Sequence, residues 1–197
     1  MAIEEIKLLE KLDYNKQLTF AYLTCERLYP NYVFFSENFD FGDKQILIEA
    51  IDLIFKSLLV DFVDVKQIEL FLKAVDINTP YPHEFETIFA SSALDSCSSI
   101  LETLNFMLDK NVSRLTDIAT FATDTVDMFV GYRDGLDYNT DPLFDDKIFN
   151  DPLMQRELSI QKGIISYLAK TDNLEGLDIN NLLSLQYNDS KSNIDVG

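Results

Sequence analysis

Tryptophan is absent, histidine occurs once, cysteine twice, and only six glycines and five prolines punctuate 197 residues. Each shortage removes a class of explanation. Sandwiches and barrels of many short strands need frequent turns, so sparse punctuation suits long helices with few connections. Cys25 and Cys97 lie far apart and form no C-x-x-C pair, which fits a reduced cytosolic compartment. A disulfide between them stays open should their helices pack together. The lone His83 cannot supply the two Glu-x-x-His motifs of a di-iron bundle, and its neighbours Glu84 and Glu86 suit a helix start better than a zinc face. A Ser-His-Asp or Cys-His arrangement would also have to use His83, and no local pattern supports one. Dinucleotide, Walker and EF-hand loops are missing, and the letters DFGD at Asp40 to Asp43 stand without the other kinase elements. No cofactor or metal is expected, and the missing groupings point away from an enzyme.

Positive charge is scarce as well. Sixteen Lys and Arg face 34 Asp and Glu, a formal charge of −18. Nucleic acid and anionic membrane surfaces both draw on basic stripes, and none interrupts this acidity. A basic protein partner fits the charge, whereas a homodimer has to overcome repulsion between its protomers. The plainer reading is a solvated surface that keeps the protein soluble. The richest apolar stretch, Ile46 to Val60, is interrupted by Glu49, Asp52 and Lys56 and is too short for a bilayer. The opening MAIEEIKLLEKL has no basic region followed by an apolar run, so it does not read as a secretory leader and is expected within the fold.

What the chain does have is helical periodicity. A composition of 47% hydrophobic residues supports one substantial core, and the pattern predicts a single all-α domain over 1–197, a bundle of about seven helices. Ile3, Ile6, Leu9 and Leu12 mark a short first helix, and a second runs from Asn15 toward Glu37 with a kink or restart expected at Pro30. Gly42 should supply unusual backbone angles in the connection before Asp43, which caps the next helix. From Lys44 to Leu59, ten of sixteen positions are apolar, so this helix is expected at the centre. Asp64 caps a helix to Val75. A long one follows from Pro82 to Asp109, with Phe85, Phe89, Ala93, Cys97, Ile100, Leu104 and Met107 on its stripe. Residues 112–130 form another, ended by Gly131. Asp151-Pro152 opens a helix to Lys170, Asp178 to Gln186 a last short one, and 188–197 reads as a loosely held tail.

Within this pattern Glu26, Arg27, Asp43, Asp52 and Asp95 are charged yet lie in apolar stretches or at helix starts, with Tyr29 and Asn31 close by. Converging carboxylates in a bundle can bind a cation or a small molecule, or act as general acid and base. The structural alternative pairs Arg27 with one carboxylate, makes Asp43 a cap, and uses Tyr29 and Asn31 to satisfy backbone freed at Pro30. Glu26 and Arg27 are adjacent and point in different directions on a helix, which weakens a single pocket. Cys25 beside Arg27 reads either as an activated thiol or as a small core residue, and helical spacing favours the core for both cysteines. Tyr29, Tyr32, Phe34, Phe35, Phe39 and Phe41 are dense enough for some to form an exposed patch for a partner.

The segment Cys25-Glu26-Arg27-Leu28-Tyr29-Pro30-Asn31-Tyr32, followed by Phe41-Gly42-Asp43 and Asp52-Leu53-Ile54, resembles an uncharacterised bacterial family, the YjaG-like proteins, a domain of unknown function. Ala93, Asp95 and Cys97 are similar to its A-x-D-x-C element, Asn150 to Pro152 to the opening of its C-terminal helix, and Ser192-Asn193-Ile194 to its closing residues. The resemblance implies a compact all-α bacterial protein and no particular activity. The segment between Tyr132 and Phe149 departs from the family pattern. The combined expectation is a cytosolic, non-enzymatic helical protein that works through self-association or a basic partner; the alternative is a small-molecule or cation site in the helical core.

Overall fold

The computed structural model describes residues 3–60, 64–172, 174, 176–186 and 188–197, and among these there is no strand. Its helices are α1 (Ile3–Leu9), α2 (Tyr14–Phe39), α3 (Lys44–Leu59), α4 (Val65–Ile77), α5 (Phe89–Asp109), α6 (Ser113–Arg133), α7 (Phe144–Asn150), α8 (Pro152–Lys170) and α9 (Gly176–Gln186), with a 3-10 turn at Pro82–Glu84. The protein is one compact all-α domain. No helix among the described residues is long and apolar enough to cross a membrane.

α2 is the axis of the fold, and this differs from the expectation that α3 would be. Every residue from Gln17 to Cys25 is buried, and α2 packs most extensively on α5, with α3, α6, α8 and α9 also against it. Its polar residues had concealed this role. Thr19 and Thr24 donate to the carbonyls of Asn15 and Phe20, 2.8 and 3.0 Å away, and Gln17 Nε2 donates to Leu9 and Glu10 carbonyls. A hydroxyl that bonds its own helix can enter a core without leaving a polar group unsatisfied. α3 instead buries one face, Leu47, Ala50, Ile51 and Ile54, and leaves Leu59 exposed.

Pro30 does not restart α2, which runs unbroken to Phe39. Small side chains on α5 let it lie close to α2: Ser96 Oγ donates to the Leu28 carbonyl at 2.7 Å, and Cys25 Sγ sits 3.3 Å from Thr103 Oγ1. Both cysteines are buried and free, so no disulfide forms. Burial pushes the Cys25 thiol up to about 11 and Cys97 up to about 12, the behaviour of core residues rather than activated nucleophiles.

The caps expected at Asp43, Asp64 and Asp151 are present. Each carboxylate accepts from backbone N–H groups of the following turn, Gln45 at 2.8 Å, Lys66 at 3.1 Å and Leu153 at 2.8 Å. Gly42 has φ +65, and a Cβ there would lie 2.1 Å from the Tyr32 hydroxyl, so this position needs both the left-handed backbone and the missing side chain. α5 starts at Phe89, later than Pro82, because the chain makes a 3-10 turn and an extended residue at Phe85 first. Phe85 nonetheless points inward, edge-on to Phe35 with ring centroids 4.9 Å apart. Tyr32 and Phe35 are fully buried, Tyr29, Phe34 and Phe41 are partly buried against the core, and of the dense aromatic segment Phe39 is left exposed.

The segment 188–197 is anchored, not loosely held. Ser192, Asn193 and Ile194 are buried; Asn193 Nδ2 donates to the Ala122 carbonyl at 2.8 Å, and Arg156 pairs with Asp195 at 2.8 Å. Ile194 joins Val126, Val130, Ile148 and Met154 in a second, smaller apolar cluster beside the main core.

Candidate functional site

Arg27 is a buried charge with its guanidinium engaged on every nitrogen. It is 5% exposed, and its Nε and Nη2 donate to Glu157 Oε2 and Oε1, each at 2.9 Å, in a two-pronged pair. Nη1 donates to Gln186 Oε1 at 2.8 Å, and Gln161 Nε2 donates to Glu157 Oε1 at 2.8 Å. Gln186 in turn donates to the Leu23 carbonyl. α2, α8 and α9 are thereby tied by one buried network, in which Glu157 is 1% exposed. Removing two charges from water is costly, and only paired geometry with further hydrogen bonds offsets it. The donors of Arg27 are committed to protein acceptors.

Glu26, one residue earlier, borders the same cleft as Arg27 but takes no part in its ion pair. Burial raises its pKa above the ordinary carboxylate value; the Tyr22 hydroxyl opposes the shift and Asp52 adds to it. Asp52 itself is exposed on α3, and Tyr29 Oη donates to the Lys44 carbonyl at 3.2 Å. Glu26, Tyr29 and Pro30 line a cleft of 430 Å³ together with Leu183 of α9 and Lys191. Arg27, Gln186, Asn188 and Ser190 line it as well, so its walls carry polar side chains from both the Arg27 network and the C-terminal segment.

The other expected residues are dispersed. Asn31 Nδ2 donates to Asn193 Oδ1 at 3.1 Å, fastening the C-terminal segment to α2. Asp43 caps α3, and its N–H donates to Asn78 Oδ1 at 2.7 Å. Asp95 lies on α5 against α6, where it accepts from Thr125 Oγ1 at 2.8 Å; burial, with Asp124 nearby, pushes its pKa up to about 7. The structure thus brings Glu26, Arg27 and Tyr29 to one cleft, Arg27 with its donors turned to Glu157 and Gln186 and Asp52 near Glu26, and leaves Asn31, Asp43 and Asp95 in separate ordinary settings. No group of three or more His, Cys, Asp or Glu is placed to hold a metal ion among the described residues.

Glu157, Gln161 and Gln186 were not singled out from the sequence. A signal existed for the first two, which stand at i, i+4 on the inward stripe of α8 with Met154, Ile164, Ile165 and Leu168.

A larger groove of 570 Å³ lies among α1, α6, α7 and α8. Ile148, Phe149, Met154 and Leu158 supply its apolar surface, with Glu5, Asp127, Asp145 and Lys162 alongside. Burial raises the Asp127 pKa, and Asp124 and Asp145 raise it further. A 360 Å³ cleft shares Asp127 and continues past Met128, Tyr132, Tyr138 and Phe144.

Comparison with known proteins gives a consistent result. A family described as "Protein of unknown function (DUF416)" matches residues 5–197. The chain is similar to YjaG of Escherichia coli K12, an uncharacterized protein, at 28% identity over 168 residues, 83% of this chain and 81% of that protein. It is also similar to an uncharacterized protein of Haemophilus influenzae, at 22% identity over 182 residues, 91% of this chain and 88% of that one. Among solved structures it resembles a DUF416 family protein from Shewanella baltica OS155, with TM-score 0.87 and 25% identity over 100% of this chain and 99% of that chain.

Proposed function

Because the chain belongs to the DUF416 family of unknown function, whose name assigns no activity, we propose that it is a cytosolic, non-enzymatic helical protein that acts through protein contacts, with itself or with a basic partner. One observation carries the reading: the buried Arg27 and Glu157 charges are closed into a pair and Asp43, Asp64 and Asp151 into caps, while the outer surface keeps apolar residues next to surplus carboxylates. Arg27 with Glu157 exemplifies the first, and the groove at Phe149 with Asp127 and Asp145 the second. Apolar surface ringed by one sign of charge suits an opposite-signed partner. Size-exclusion chromatography with light scattering, followed by pull-down at low and high salt, tests it. A salt-sensitive partner or a defined oligomer is expected; a strict monomer that retains no salt-sensitive partner contradicts it.

The Glu26 cleft favours a second reading, a small-molecule or cation site, since a half-buried carboxyl there borders open volume. A thermal-shift screen of small cationic compounds discriminates. A compound that raises the melting temperature of the parent but not of Glu26→Gln supports this second reading, and no such compound counts against it.

A further inference from the structure

We infer that the groove among α1, α6, α7 and α8 is the docking site for a basic amphipathic segment of a partner protein. An apolar side chain of that segment seats on Ile148, Phe149, Met154 and Leu158, and its Lys or Arg residues reach Asp127 and Asp145. This rests on the protein-contact reading above and names the surface and the partner's chemistry.

The groove presents apolar surface to water: Phe149 is 58% exposed, and the adjoining cleft carries the exposed Tyr132 and Tyr138. Its charge is unbalanced. The cations around it are already engaged, Lys147 by Asp141, Arg133 by Asp134 and Asp151, and Lys162 by Glu5 at 3.4 Å. Asp127 and Asp145 form no ion pair with any described residue, and burial together with Asp124 and Asp145 raises the proton affinity of Asp127, a strain that an incoming cation relieves. Glu5 adds a further open acceptor, since its Oε2 is buried without a hydrogen-bond partner. A second copy of the chain is the wrong occupant, because each protomer carries −18 and would bring like charge to this rim.

The test is fluorescence anisotropy of a labelled synthetic peptide with leucine at helical spacing and lysine elsewhere, titrated with the full chain at two salt concentrations beside a glutamate-for-lysine counterpart. The lysine peptide binds and the glutamate peptide does not. Asp127→Asn with Asp145→Asn weakens binding about tenfold, whereas the charge-matched pair Glu69→Gln with Asp76→Asn on exposed α4 changes it less than about twofold. Phe149→Ser weakens it about fivefold and leaves the salt dependence unchanged. Asp145→Asn alone, at an exposed site, keeps the comparison usable should the double substitution fold poorly. Equal losses from the groove pair and the α4 pair mean that overall acidity attracts the peptide, and the inference falls. If pull-down then still recovers a salt-sensitive basic partner, only the groove assignment is lost; a monomer without one removes the contact reading as well.

Discussion

The Arg27–Glu157 network and the Asp127–Asp145 groove are both charged, both rest against apolar residues, and differ in one respect. In the first each charge meets its complement at 2.9 Å and is buried; in the second Asp127 has the like charges of Asp124 and Asp145 nearby, beside the exposed ring of Phe149. Proximity of charge to a core therefore does not by itself indicate a site. The balance of donors and acceptors decides whether the arrangement is finished within the chain or calls for something outside it.

The largest consequence lies in the buried region. Glu157→Ala leaves the Arg27 guanidinium buried without its partner and should cost about 3–5 kcal/mol, read from urea unfolding midpoints. Retention of parental stability would erase the contrast between the two regions. Gly42→Ala probes backbone close to the same core. Its Cβ would meet Tyr32 Oη and its φ is positive, so a loss of ~1–3 kcal/mol is expected in the same assay.

Asp95 stands between the two extremes, half-buried with one hydroxyl partner. Its folded pKa, about 7, lies above the ordinary aspartate value, so the folded state holds a proton that the unfolded chain has released. That contribution to stability is complete below the unfolded pKa and is lost as pH rises through about 7. Unfolding between pH 4 and 8 should show Asp95→Asn gaining on the parent by on the order of 1–3 kcal/mol toward the alkaline end, with little difference at the acid end. Parallel curves would remove Asp95 from this intermediate place. At the open end, Phe149→Ser should change stability by less than about 0.5 kcal/mol, because an exposed ring contributes little to folding. A larger loss in thermal unfolding would make Phe149 a structural residue rather than a surface one.

Much of this was legible beforehand. The α5 stripe from Phe89 to Met107 follows from spacing alone, and the caps at Asp43, Asp64 and Asp151 follow from local chemistry that needs no tertiary information. The partner of Arg27 does not, since Glu157 lies 130 positions away and contact at that separation is set by packing. The central position of α2 was hidden by threonines and a glutamine whose hydrogen bonds close within the helix or onto its neighbour. α7 does not show in the sequence because its apolar residues are only Phe144, Ile148 and Phe149 beside two aspartates and a lysine, too short a stretch for periodicity to register. The anchoring of 188–197 depends on Asn193 and Ile194 meeting α6 and α8, which the short polar sequence around them conceals.

A double-mutant cycle on Arg27→Met and Glu157→Met, followed by urea unfolding, measures whether the buried charges exist for one another. Each single substitution should lose about 3–5 kcal/mol and the pair together much less than the two losses combined, because methionines of similar length leave no unpaired charge behind. Strictly additive losses would contradict this and assign the two residues separate tasks.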